Sequence, residues 1–172
     1  MTTIPRPAPA EFSPYYTPYV DRVPDGDLLD ILEQQHAETA SLIGSLPEER
    51  GSHRYAPGKW SIREVLGHLA DAERIFAYRA LRVARGDATP LSGFDENVYV
   101  ENARFDTRTL SSLLEELRIV REASVALFRS LDEDELARGG TANGAPITAR
   151  ALAWIIAGHE AHHLAILRQR YV

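Results

Sequence analysis

Apolar residues recur at helical spacing through four long stretches of this chain, and no stretch keeps the alternation of a strand. That pattern restricts the fold to packed amphipathic helices. The clearest start is at Ser61, an N-cap with Glu64 three residues on, which makes a capping box; Trp60 and Val65 hold the positions of a hydrophobic staple. This helix is expected to run to about Arg85, with Gly86 just past its end. An earlier helix spans about Asp27 to Leu46, carried by Leu28, Leu29, Ile31, Leu32, Leu42 and Ile43 and stopped by Pro47. A third starts near Thr107 and ends near Leu131, on Leu110, Leu113, Leu114, Leu117, Val120 and Leu127. A fourth follows Thr148, a fitting N-cap, and runs to about Arg170, where Arg168 and Arg170 suit the negative end of a helix dipole.

The connections differ in kind. Residues 87–105 are irregular, with one short helical turn expected near Phe94–Val100, and are long enough for a crossover or a lid. Residues 132–146, acidic and then glycine-rich, read as loop. Residues 1–24 hold six of the ten prolines, which block helix growth, so they read as an extended arm. Tyr15, Tyr16 and Tyr19 let that arm wrap its own bundle or reach a neighbouring subunit; a mobile tail is the plain alternative. The expected fold is all-α: a four-helix bundle with a long crossover over residues 25–172, preceded by an extended Pro/Tyr-rich arm over residues 1–24. The long connection allows two neighbouring helices to run parallel.

At 172 residues the chain suits one domain with a real core. A net charge of -6 with no basic run argues against general nucleic-acid binding. With no cysteine, disulfides, thiolate metal ligands and a cysteine nucleophile are excluded. The opening MTTIPRPAPA lacks the charged and apolar regions of a signal peptide, and the longest apolar run, ALAWIIA, is far too short to span a bilayer. A cytoplasmic protein without membrane association is expected.

The chemistry lies in histidines. His159 and His163, in HEAHH, are four apart on the fourth helix and so share a face about 5–6 Å apart. With His159 at zero on a helical wheel, His163 falls near about +40°, within a stripe made by Leu152, Ile155, Ile156 and Ile166. His162 falls on the flank. On the second helix His68, in GHLADAE, shares a face with Val65, Ala72 and Ile75. A lone histidine on an apolar face is more often a hydrogen-bonded core residue than a ligand, because buried polar groups need partners. Three such histidines on two facing helices fit instead a three-imidazole metal site with open positions, the mark of a catalytic rather than a structural metal. His36 and His53 have no such setting.

HEAHH also matches the HExxH pattern of zinc proteases, with Glu160 as base. That reading is rejected: such enzymes draw a third ligand from well downstream, and nine residues follow His163 here. Glu160 falls at the edge of the apolar stripe, where a solvated carboxylate is expected.

The segment PGKWSIREVLGHLADAERIF, followed about 90 residues later by HEAHHLAILRQRY, resembles the DinB-like superfamily, and the likeness extends over roughly residues 26–171. The resemblance implies a four-helix bundle with a long crossover and one divalent metal ion, usually zinc or nickel, held by His68, His159 and His163. It implies a small-molecule substrate and thiol-dependent transfer or isomerisation with bacillithiol, mycothiol or glutathione. It also implies a homodimer. As the chain has no cysteine, any thiol must come from outside. The favoured expectation is a metal-dependent S-transferase using a low-molecular-weight thiol. A non-catalytic metal-binding stress-response protein and a metal-dependent hydrolase remain beside it. The proline-rich arm is not part of the superfamily pattern.

Overall fold

The protein is described by a computed structural model over residues 3–172; the first two residues of the expected arm lie outside the described residues. In chain order the elements are α1 (Thr17–Val20), α2 (Leu28–Gly44), α3 (Ile62–Ala84), α4 (Glu96–Ala103), α5 (Leu110–Arg129), α6 (Glu133–Ala137), β1 (Gly139–Ala142), β2 (Ala145–Thr148) and α7 (Ala149–Arg170), with short 3₁₀ turns between. The four long helices form the bundle. α3 packs on α5 and α7, and α2 packs on the same two, so α2 and α3 lie diagonally across from each other.

Two apolar clusters fill the interior. One joins the start of α2 and α7 to the end of α3 and α5, around Leu28, Leu32, Phe76, Phe128 and Leu152. The other joins the opposite ends, around Ile43, Ile62, Leu66, Leu113 and Leu167. This places α3 and α5 parallel, as residues 85–109 must return the length of the bundle between them. Between the clusters lies a polar layer: Thr39, His68, Glu73, Arg121, His159 and Glu160 are all buried.

Local chemistry sets the helix ends. Ser61 accepts from the Glu64 amide while the Glu64 carboxylate accepts from the Ser61 amide, closing the expected capping box. Gly86, at φ +77°, takes the left-handed conformation that ends α3. Thr148 caps α7 through the Ala151 amide. Asp95 caps α4, which begins two residues later than the turn expected near Phe94.

One region departs from expectation. The stretch read as loop between 132 and 146 contains α6 and an antiparallel hairpin, Gly139 pairing with Thr148 and Gly140 with Ile147. Asn143 and Gly144, at φ 50° and 74°, form its tight turn; an Asn-Gly pair is the usual two-residue hairpin turn because both positions need positive φ. The crossover docks on this hairpin through Leu91, whose amide donates to the Thr141 carbonyl at 2.9 Å.

The arm packs on its own bundle. Ile4, Phe12, Val20 and Val23 are buried against the first cluster. The Trp154 indole donates to the Ile4 carbonyl at 3.2 Å, and the Arg6 guanidinium lies 4.3 Å over the Trp154 ring. Glu11 accepts from Thr148 at 2.8 Å and from Arg150 at 2.6 Å. Gly158 makes the docking of α1 possible: a Cβ there would lie 2.1 Å from the Tyr19 carbonyl oxygen. No helix among the described residues is long and apolar enough to cross a membrane.

Candidate metal centre

α3 and α7 run side by side through the polar layer, and this brings the three expected histidines together. The Nε2 atoms of His68 and His159 are 3.0 Å apart, and one ring nitrogen from each of His68, His159 and His163 lies within 4.8 Å of the others. His68 and His159 are buried; His163 is partly open to a cavity. Aromatic rings frame the group. Trp60 sits 4.6 Å from His68 and stacks on His163 at 6.4 Å, while Phe76 and Tyr19 pack edge-on against His159 at 5.8 and 5.6 Å.

Burial drives the imidazoles toward the neutral form. It lowers the His68 pKa to about 4. Burial, reinforced by repulsion from His163, His68 and His162, puts His159 well below its ordinary value, and burial with His68 and His162 does the same to His163. A neutral imidazole is the form that binds a metal ion. The spacing also suits one ion. Two nitrogens each about 2.0–2.1 Å from a tetrahedral ion are about 3.3 Å apart, close to the His68–His159 separation.

Gly67 and Gly158 each precede a histidine of the group and thin the helix beside it. A Cβ on Gly67 would lie 2.3 Å from the Phe105 ring, so the crossover closes over α3 next to His68 as the arm closes over α7 next to His159.

His162 stays on the flank, its ring 5.2 Å from Tyr19 and outside the group of three. His36 on α2 and His53 in the loop before α3 are also outside it.

Glu160 corrects an expectation. It is not solvated but 2 % exposed, and it turns away from the histidines. Arg121 bonds both oxygens of Glu73 at 2.8 Å, donates to the Leu32 carbonyl at 2.7 Å, and lies 2.7 Å from Glu160 Oε2, where the contact is one of charge rather than of aligned hydrogen bonding. Thr39 donates to Glu160 Oε1 at 2.7 Å. Burial works against the guanidinium charge, and the two carboxylates outweigh it, so Arg121 is held protonated.

A cavity of about 280 Å³ opens from the histidines. The arm supplies Tyr15, Tyr16 and Tyr19 to its wall, the crossover Phe94 and Glu96, and the hairpin Asn143. These wall residues, and Arg79 on α3, are not apparent from sequence periodicity, because three different connections converge on them.

A sequence profile of the DinB superfamily matches residues 31–167, and the chain belongs to that superfamily. It is 29% identical over 156 residues, 86% of this chain and 87% of the relative, to a candidate metal-dependent hydrolase of Oceanobacillus iheyensis. It is 25% identical over 112 residues, 64% of this chain and 62% of the relative, to YfiT of Bacillus subtilis, which bears the same description. The solved structure of YfiT, described as having an unusual four-helix bundle topology, superposes with a TM-score of 0.76 at 22% identity, covering 83% of this chain and 82% of that one. A mycothiol-dependent maleylpyruvate isomerase superposes with a TM-score of 0.66 at 17% identity, over 96% of this chain and 62% of the isomerase.

Proposed function

We propose that His68, His159 and His163 together hold one divalent metal ion, zinc or nickel, and that the protein is an S-transferase using an exogenous low-molecular-weight thiol. The single observation that carries this is the convergence of three imidazoles, without a carboxylate partner, on one cavity. An ion held there would favour the thiolate form of an external thiol, which is its nucleophilic form. The chain does the rest. Trp60, Phe76 and Tyr19 pack against the imidazoles and so hold their orientation and give the cavity apolar surface beside them. The nucleophile must come from outside, as the sequence has no cysteine. The thiol dependence of the isomerase neighbour supports this reading.

Metal-dependent hydrolysis is the second reading, favoured by the descriptions of the Oceanobacillus and Bacillus relatives. Its natural base, Glu160, faces Arg121 and not the cavity. The test is metal analysis of purified protein, followed by an electrophile screen with bacillithiol, mycothiol and glutathione. Conjugation that survives Glu160→Gln supports the transferase. Thiol-independent hydrolysis that is lost on metal removal supports the hydrolase, and metal without turnover supports a non-catalytic metal-binding protein.

We propose further that the protein forms a homodimer. The arm is spent on its own bundle, so the face offered is the exposed strip of Tyr78, Leu81 and Ile119 between α3 and α5. Light scattering should give a dimer mass that Leu81→Asp with Ile119→Asp reduces to a monomer mass; a monomeric native protein contradicts this.

A further inference from the structure

The cavity carries a second feature besides the histidines. His68, Ala72, Phe76 and Arg79 line it from one face of α3. Arg79 lies eleven residues past His68, three turns on and about 16 Å along the helix axis. Its residue is only 3% exposed, yet its guanidinium has no carboxylate partner among the described residues. It donates to the Ser92 carbonyl at 2.6 Å, lies 5.7 Å over the Phe94 ring and shares the cavity wall with Tyr16.

The contrast with Arg121 is instructive. That guanidinium, equally buried, is neutralised by two carboxylates. A buried cation without a counter-charge is costly, and a guanidinium with free N–H groups beside an open cavity is built for a carboxylate, which it can grip with two parallel hydrogen bonds. Tyr16, on the same cavity wall, carries a hydroxyl that offers a further donor.

We infer that Arg79, with Tyr16, forms an anion-recognition subsite that takes a carboxylate group of the ligand whose other end lies at the three histidines. Placing that other end rests on the metal reading; the carboxylate subsite itself does not. The ligand is therefore an elongated molecule that reaches the histidines at one end and carries a carboxylate at the other. Either the thiol or its electrophilic partner can bring that carboxylate. Glu96 also lines the cavity and makes no ion pair among the described residues, so it opposes an anion there and favours a ligand that carries a cationic group as well.

The test has two arms. In the first, metal-free protein is titrated calorimetrically with medium-chain alkane carboxylates and their methyl esters, which probes Arg79 whether or not the protein holds a metal. Native protein should bind the acids over the esters by roughly 10- to 100-fold, the loss expected for a charged hydrogen bond. Arg79→Gln should abolish that preference, Arg79→Lys should keep part of it, Tyr16→Phe should reduce it, and Glu96→Gln should raise it. In the second, cobalt-loaded protein is titrated with short- and long-chain ω-mercaptocarboxylates and their esters, read by the thiolate-to-cobalt absorption band. The long-chain acid should bind tightest, and only in the presence of Arg79. Transfer kinetics with thiol and electrophile each supplied as acid or ester then show which of the two carries the carboxylate. If Arg79 served only to pin Ser92 and Phe94, its loss would weaken acids and esters alike. That result, or equal binding of acids and esters by native protein, overturns the proposal. A missing cobalt band with an intact acid preference would overturn the metal reading and leave the subsite standing.

Discussion

His159 and Glu160 are neighbours in sequence, both buried in one layer, yet a helical step of about 100° gives them different partners. On one side, Glu160 joins Glu73, Arg121 and Thr39 in a network whose charges meet partners within the protein. On the other, His159, His68 and His163 have chiefly each other and an open cavity. Buried charge that is compensated holds a structure in one arrangement; buried polarity left uncompensated at a cavity is capacity for a ligand. The same layer thus separates a structural half from a functional half.

The largest effect that could break this contrast is on the structural side. Arg121→Met leaves two buried carboxylates without a cation and should cost about 3–5 kcal/mol. Replacing Glu73, Arg121 and Glu160 together by apolar residues of similar size should cost much less. Denaturant unfolding measures both. Equal losses from the single and triple changes would mean that the network is not a closed unit.

Acid should expose the other side. The His68 pKa is about 4 when folded and about 6.5 when unfolded, so between these values the unfolded chain binds the extra proton. Stability of metal-stripped protein should therefore be whole above pH 6.5 and fall toward pH 4, by on the order of 3 kcal/mol from this residue. His68→Ala should flatten that decline; a profile unaffected by it would contradict the burial of an uncompensated imidazole.

The smallest effect on stability is the most informative about function. His163→Ala should leave metal-free stability within about 1 kcal/mol, since that side chain is only partly buried, yet abolish metal retention. His162→Ala should leave metal content unchanged. Metal analysis after dialysis separates the two.

Much of this arrangement is legible in the sequence. The four helix spans follow from periodicity and caps, and the i,i+4 pair with His68 falls on facing stripes because the wheel reports direction well. The wheel fails for Glu160 because it assumes a helix with one wet face. From Ala151 to Glu160 every residue of α7 is buried, as the arm covers the side that the bundle leaves open. The run ALAWIIA, apolar all round, is itself the signal of such a helix. Arg121 carries a similar sign, four residues after Leu117 on an apolar stripe. The hairpin is encoded locally by Asn143-Gly144, in strands of four residues that are too short to show alternation. The cavity wall has no local code, since the arm, the crossover and the hairpin meet there only through the tertiary fold.

X-ray absorption spectroscopy of metal-loaded protein tests the central claim most directly. One ion per chain, with three imidazole nitrogens at about 2.0–2.1 Å if the metal is zinc, is the predicted result, and His68→Ala should lower the imidazole count by one. An unchanged spectrum in His68→Ala, or a carboxylate of Glu160 among the ligands, would contradict it.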